Sequence, residues 1–169
     1  LGNLGVLCEY TNDLDKALTY NMRTLEILRK ENDRSNHMAI ALTNTGGVHE
    51  QKGDFARAIE YMTQGLQLHE KNGDKEGKAQ TLTEIARVYA EMGDTLTAKG
   101  KFEESIALCD QLGMEMQEAK NYTLLATLYY RPAELEKAMD YYQKGLEISR
   151  KQGFQSRIGD ILMGMGEVL

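Results

Sequence analysis

Residues 53–61 read GDFARAIEY, and this stretch decides the fold. Asp54 can accept hydrogen bonds from the free N–H groups at the start of a helix. Gly53 can take the left-handed conformation that ends the preceding helix. Ala58 follows four residues after the aspartate, and this alanine recurs every 40 or 41 residues, at Ala17, Ala58, Ala98 and Ala138.

Other residues repeat in phase with this alanine. An apolar column comprises Leu1, Leu42, Leu82, Tyr122 and Leu162, and a small-residue column comprises Gly5, Gly46, Ala86, Ala126 and Gly166. The spacing within each repeat is helical, so we expect two amphipathic helices, A and B, per repeat. We predict helices A over 36–51, 75–91, 115–131 and 155–169, helices B over 13–30, 54–71, 94–111 and 134–151, and the end of a first helix A over 1–11.

Two repeats depart from this pattern. In the third, Gly100-Lys101-Phe102 could itself form the turn, which would delay helix B by seven residues. We prefer the regular register because it keeps Leu108 and Gly113 in their columns. In the fourth repeat Pro132 lies in the turn and disfavours helical backbone at Arg131, so helix A should end sharply there.

The columns resemble the tetratricopeptide repeat, which places a Leu-Gly pair and an aromatic on helix A, then alanines and an aromatic on helix B. The matching residues are Leu4-Gly5, Ile85-Ala86 with Tyr89, Leu125-Ala126 with Tyr129, and the segments 53–61 and 136–146. The ordinary period of this repeat is about 34 residues. The longer period here is similar to the long-helix variety in kinesin light chain, in polarity adaptors of the Leu-Gly-Asn type and in bacterial regulators. HEAT and armadillo repeats have similar lengths but lack the Gly-Asp turn.

The resemblance implies an all-α, right-handed superhelical solenoid of antiparallel helix A/helix B hairpins. It implies a single domain over 1–169, with repeats at approximately 1–32, 33–73, 74–113 and 114–153 and a partial repeat at 154–169. Both ends look unfinished, so we expect a fragment of a longer solenoid that can associate end to end with other copies.

Composition and motifs disfavour several classes of function. The net charge of −6 argues against nucleic acid and acidic membranes as partners, and no apolar run approaches the roughly 20 residues of a membrane span. No catalytic motif or metal-ligand spacing occurs, so we expect neither an enzyme nor a cofactor nor a metal site. His49 should be a packing residue, whereas His37 and His69 lie near helix ends. We expect Cys8 and Cys109 to be buried and reduced in a cytoplasmic protein.

By resemblance, helix A lines the concave side of the solenoid. The candidate partner-binding residues are Thr43, Asn44, Gln51, Thr83, Arg87, Lys120, Thr123, Thr127, Tyr130 and Arg131. Threonine hydroxyls suit an extended peptide held through its backbone, and the three cations suit its carboxylates. We therefore expect a scaffold that binds a protein or peptide in this groove. The alternative is a sensory or regulatory module of a larger, bacterial-type signalling protein or transcription regulator, which binds a peptide or a neighbouring domain.

Overall fold

The structure is a computed structural model that describes residues 13–168. Over that range the chain forms eight α-helices and no strand. They are α1 (Leu14–Lys30), α2 (Asn36–Gln51), α3 (Phe55–Asn72), α4 (Lys75–Glu91), α5 (Thr95–Leu112), α6 (Glu115–Thr127), α7 (Leu135–Gln152) and α8 (Gln155–Val168). Odd-numbered helices are the B helices and even-numbered helices are the A helices. All bounds except the end of α6 lie within one residue of the prediction, which confirms the all-α solenoid of hairpins. The predicted helix end over 1–11 lies outside the described residues.

Glycine and aspartate build the regular turns. Gly53 has a φ of +75°, a left-handed conformation that residues with a β-carbon rarely adopt. Asp54 then caps α3, because its Oδ1 accepts a hydrogen bond from the Arg57 N–H at 3.2 Å. Asp94 caps α5 in the same way through the Thr97 N–H at 3.1 Å, so the third repeat keeps the regular register.

The turn of the fourth repeat differs from the prediction. α6 ends at Thr127, whereas the predicted helix continued to residue 131. Ala133 stands where the second and third repeats have Gly53 and Gly93, and it does not adopt the left-handed conformation. Pro132 has no N–H to donate and disfavours helical backbone at the residue before it. The chain therefore leaves the helix early, and Glu134 precedes α7 without a side-chain capping bond.

Small residues let the two helices of a hairpin cross closely. A β-carbon on Gly46 would lie 2.6 Å from Met62 Cγ and 2.9 Å from the Ala58 carbonyl oxygen, so the crossing of α2 and α3 depends on the missing side chain. Successive hairpins share their cores: Ala58 and Met62 pack with Ile85 and Val88 of α4. Each repeat therefore buries part of its apolar surface against the next.

The A helices lie on the inner side of the curve. α2 packs against α4, and α6 against α8, in addition to the contacts between helices that are adjacent in sequence. Within residues 13–168, neighbouring B helices share no contact of that extent. Elements on the inside of a curved stack lie closer together, so the exposed sides of α2, α4, α6 and α8 form the concave face. No described helix has both the length and the apolar content of a membrane span.

Candidate partner-binding face

A row of alternating charges crosses the concave face, and we call it the charge ladder. Arg87 of α4 donates to Glu50 of α2 at 2.8 Å and to Glu84, one turn earlier on α4, at 2.5 Å. Lys120 of α6 lies 3.6 Å from the other oxygen of Glu84. Arg87 and Lys120, both predicted to bind a partner's carboxylates, are therefore already paired with carboxylates of this chain.

Glu50 is the buried end of the charge ladder. Its side chain is 5% exposed. Burial raises the pKa of Glu50 to about 7, and the neighbouring carboxylates Glu91 and Glu84 add to this rise, while the Arg87 guanidinium opposes it. The ion pair that ties α2 to α4 is therefore sensitive to pH near neutrality.

The prediction that Thr83 lines an open groove is wrong, because Thr83 is fully buried. Its hydroxyl donates to Asn121 Oδ1 at 2.8 Å and accepts from Gln117 Nε2 at 3.0 Å. Asn121 Nδ2 in turn donates to Ser105 Oγ at 2.8 Å, and Ser105 donates to the Ala79 carbonyl at 2.7 Å. We call Thr83, Ser105, Gln117 and Asn121 the buried polar network. Thr83 therefore faces helix B of its own hairpin and the next helix A, and not solvent.

The other two threonines of that column are half-buried. Thr43 Oγ1 donates to the Ala39 carbonyl at 3.1 Å, and Thr123 Oγ1 donates to the Ala119 carbonyl at 2.8 Å. Their hydroxyl hydrogens are therefore used within their own helices. The three threonines are therefore less available to donate hydrogen bonds to the backbone of a bound peptide than the sequence pattern predicts.

The remaining predicted residues are more accessible. Asn44 is half-buried, while Gln51, Thr127, Tyr130 and Arg131 are exposed. The Tyr130 hydroxyl is bonded to the Tyr142 hydroxyl at 2.6 Å and to the Gly164 carbonyl at 3.0 Å, which holds the ring against α8. Arg131 forms no ion pair with any residue of the described range 13–168. It is therefore an available cation at the α6–α7 end of the concave face.

A cavity of about 450 Å³ opens on the concave face where α3 joins α4. We call it the junction cavity. Its walls come from α2, α4 and α6, and its lining includes Ile40, Asn44, Gln80 and Gln117. Three carboxylates, those of Asp74, Glu76 and Glu84, also line it. No lysine or arginine is among its lining residues in the described part of the chain, so the cavity is acidic.

His69 is a cavity residue that the sequence did not single out. The side chain is 2% exposed, and its Nδ1 lies 2.8 Å from Asp74 Oδ2. The other oxygen of Asp74 accepts a hydrogen bond from the Gly77 N–H at 2.9 Å, so one aspartate caps α4 and orients the histidine. The ring occupies the space where a β-carbon on residue 77 would lie. Gly77 occupies the repeat position at which Gln117 and Arg157 have long side chains. A glycine at this position is the feature of the sequence that could have indicated the His69 site.

Two other groups that could bear chemistry pack within the fold. The His49 ring is buried and stacks on Tyr61 with a centroid distance of 5.4 Å, which confirms it as a packing residue. Burial lowers the pKa of His49. Cys109 is a buried free thiol, whereas Cys8 lies outside the described residues. Among residues 13–168, no three His, Cys, Asp or Glu side chains converge as metal ligands.

Comparison with known proteins identifies the family. Three overlapping windows, residues 1–71, 37–111 and 77–151, match the family model described as tetratricopeptide repeat. The chain belongs to the tetratricopeptide repeat family. The resemblance drawn from the sequence columns is confirmed, and with it a scaffold for protein–protein interaction.

Relatives and solved structures extend this result to the fold of the chain. Protein KINESIN LIGHT CHAIN-RELATED 2 of Arabidopsis thaliana is 24% identical over 98% of this tetratricopeptide chain and 26% of its own length. Aspartyl phosphate phosphatase F from Bacillus subtilis has a TM-score of 0.93 at 15% identity, over 99% of this chain and 44% of that one. A Rap protein complexed with Competence and Sporulation Factor has a TM-score of 0.88 at 13% identity, over 99% and 50%. The chain thus spans half or less of each of these proteins.

Proposed function

We propose that this chain binds a protein or peptide segment along the concave face formed by α2, α4, α6 and α8. One observation carries the proposal: this face combines the junction cavity with accessible polar side chains that the fold does not need. Asn44 and Gln51 on α2 and Gln80 on α4 make no side-chain hydrogen bond within residues 13–168. Amide side chains offer both a donor and an acceptor, so they suit the backbone of an extended peptide.

The charges of this face indicate a partner that carries both positive and negative groups. The junction cavity at one end is acidic, while Arg131 at the other end is an exposed cation without an ion pair among the described residues. Arg87 and Lys120 complete the charge ladder, and we propose that they shape the face and do not bind a partner's carboxylate directly. Arg131 remains the proposed anchor for an acidic group, with Thr127 and Tyr130 close to it in the chain, while Gln51 lies at the end of α2.

The net charge of −6 supports a protein or peptide over nucleic acid or an acidic membrane. The proposal assigns no reaction to the chain. The phosphatase name belongs to a structure that is 15% identical, and a likeness at that level concerns the fold. A cytoplasmic location and a place within a longer solenoid stay predictions.

A sensory module of a larger regulator is the second candidate. A structure with the same fold was solved as a complex with Competence and Sporulation Factor, so a ligand complex of this fold has a precedent. Such a module would change its superhelical pitch on binding and pass the change to a neighbouring domain. A passive scaffold would bind with little change of shape, which small-angle scattering with and without the bound peptide would distinguish.

The test of the proposed function uses random dodecapeptides displayed on phage, selected against the chain and then measured by fluorescence anisotropy. We expect Arg131→Glu to weaken binding of the selected peptides roughly threefold to tenfold, because it reverses a charge that faces the partner. Added salt should weaken the wild-type complex as well. Lys151→Glu, an equal reversal at an exposed position of α7, is the matched control and should leave the affinity unchanged. Equal effects of the two variants, or no selected peptide at all, would contradict binding at the concave face.

A further inference from the structure

We infer that the junction cavity is a subsite for a basic side chain, arginine or lysine, of the peptide bound along the concave face. This inference rests on the proposed function and adds the chemistry of one partner residue. The cavity is bounded by α2, α4 and α6 and by the His69–Asp74 pair at the junction of α3 with α4.

The hydrogen bonding of His69 favours a ligand that donates hydrogen bonds. Asp74 Oδ2 lies 2.8 Å from Nδ1, and a carboxylate oxygen accepts, so Nδ1 carries a proton; in the tautomer with that single proton, Nε2 has a lone pair. Nε2 makes no hydrogen bond to any residue among 13–168. Within this range, the solvent-inaccessible side-chain N and O atoms that lack a hydrogen-bond partner are Ser149 Oγ and Arg157 Nε. Since His69 Nε2 lacks a partner but does not belong to this set, it is accessible to solvent. The ring lines the cavity, and in that tautomer Nε2 can only accept a hydrogen bond.

The charge around that acceptor favours a cationic ligand. Asp74 uses both oxygens within the fold, on the His69 ring and the Gly77 N–H. Glu84 is shared between Arg87 and Lys120. Glu76 is exposed and forms no ion pair with a described residue, so it is the carboxylate that a ligand can neutralise. A group that carries positive charge and several N–H donors matches this set of acceptors, and a guanidinium carries five donors in a fixed fork.

The apolar side of the cavity favours a ligand with an aliphatic stem. Ile40 is 49% exposed and lies on the wall contributed by α2. Arginine and lysine have long aliphatic stems that pack on apolar surface while the charged end makes polar contacts. Asn44 and Gln80 lie beside the same cavity and suit the peptide groups that flank such a side chain. A small cation without a stem would leave the Ile40 surface uncovered.

The lining of the junction cavity is specific to this junction. A cavity of about 410 Å³ at the junction of α5 with α6 has Met114 and Met116 in place of Asp74 and Glu76. One repeat later, Cys109 takes the place of His69 and Gln117 takes the place of Gly77, and the Gln117 amide points into the buried polar network. At the next junction the equivalent residues are Ser149 and Arg157. A glycine at position 77 is therefore the condition for seating the His69 ring at the cavity wall.

The experiment titrates the ¹⁵N-labelled chain with N-acetyl-L-arginine methylamide, whose blocked ends imitate a residue within a peptide. The Gly77 amide and His69 Nε2 resonances should shift with saturation in the millimolar range, as expected of a single side chain. The uncharged citrulline analogue should shift neither. Free arginine should bind more weakly, because its own carboxylate meets the carboxylates of the cavity. If free arginine binds as tightly as the blocked form, the inference that the basic side chain belongs to a peptide is wrong.

Variants separate the cavity from general charge. Glu76→Gln should weaken binding of the probe roughly threefold to tenfold, whereas Glu147→Gln, an equal loss of charge at an exposed site on α7, should not. Gly77→Ala should also weaken it without any change of charge, because the new β-carbon displaces the His69 ring. An unchanged affinity of Glu76→Gln, in a chain that still melts like the wild type, would overturn the inference.

The peptides selected against the chain distinguish this inference from the proposed function. If they bind but carry no basic residue whose change to citrulline weakens binding, the subsite is wrong and the concave face remains the binding site. If the arginine probe binds and no peptide does, the subsite is right and the proposed peptide function is wrong.

Discussion

Two equivalent interfaces of this solenoid have opposite characters. Where α2 and α3 meet α4, Thr43 faces Gly65 and touches Thr81, and the junction cavity lies beside them; we call this the open interface. Where α4 and α5 meet α6, the equivalent Thr83 faces Ser105 and Asn121, and the space is filled by the buried polar network; we call this the closed interface. Helix positions and the threonine column are the same in both.

The difference comes from the partners of the threonine and not from the threonine itself. Glycine at residue 65 is replaced by Ser105 one repeat later, and glycine at residue 77 is replaced by Gln117. Each replacement adds polar atoms that reach the threonine hydroxyl. A repeat protein can therefore leave open space beside the threonine of one junction and fill that space at the next with the same arrangement of helices, because side-chain volume decides the outcome.

The largest expected effect concerns Glu50, whose ion pair with Arg87 ties α2 to α4 across the open interface. The pKa of its carboxyl rises from 4.5 to about 7 on folding, so the folded state binds this proton more tightly than the unfolded state. The associated stability is full below about pH 4.5 and is lost as the pH rises to about 7, a change of about 3 kcal/mol.

Urea melts of wild type and Glu50→Gln at intervals between pH 4.5 and 8 would measure this effect. The glutamine variant should lack the fall in the free energy of unfolding that the wild type shows across this range. Glu147→Gln, which changes an exposed glutamate, should follow the wild type. Parallel curves for wild type and Glu50→Gln would show that Glu50 does not titrate in this window.

The second prediction contrasts the two threonines directly. Thr83→Ala should lower the free energy of unfolding by about 2 kcal/mol, because it leaves Asn121 Oδ1 and Gln117 Nε2 with unsatisfied bonding capacity in the closed interface. Thr43→Ala should cost less than about 1 kcal/mol, since its hydroxyl serves a carbonyl of its own helix. Denaturant unfolding of both variants is the measurement. Equal costs would mean that the buried polar network contributes no more than one local hydrogen bond.

The smallest expected effect is a test of close packing at the open interface. A β-carbon on Gly65 would lie 2.7 Å from Thr43 Oγ1 and 2.9 Å from the Ala39 carbonyl oxygen. Gly65→Ala should therefore destabilise the chain by about 1–2 kcal/mol, after the better helix propensity of alanine is counted. At Gly100, inside α5, a β-carbon meets nothing within 4 Å, so Gly100→Ala should stabilise by up to about 1 kcal/mol. Thermal melts that rank the two variants the other way round would show that α2 and α3 can separate at no cost.

Much of the candidate site lay beyond prediction from the sequence for a reason that Arg87 illustrates. As one residue in a repeat column, Arg87 looks like an available cation. Its partner Glu50 belongs to the previous repeat, 37 positions away, and the pairing depends on how closely α2 and α4 approach. Arg131 shows the converse, since it is exposed after the early end of α6 and has no ion pair among residues 13–168.

Within residues 13–168, the sequence by itself determined the number and order of the helices and every bound except the end of α6, because those depend on local signals. A Gly-Asp turn, a small residue at each crossing and an apolar period of 3.6 residues act within a few positions of the chain. Only the tertiary structure decided that Thr83 is buried, that Arg87 is paired and that the His69 ring seats over Gly77. Each of those outcomes depends on the volume and hydrogen-bonding capacity of a side chain brought in by a different helix, and nothing in the local pattern of residues encodes that juxtaposition.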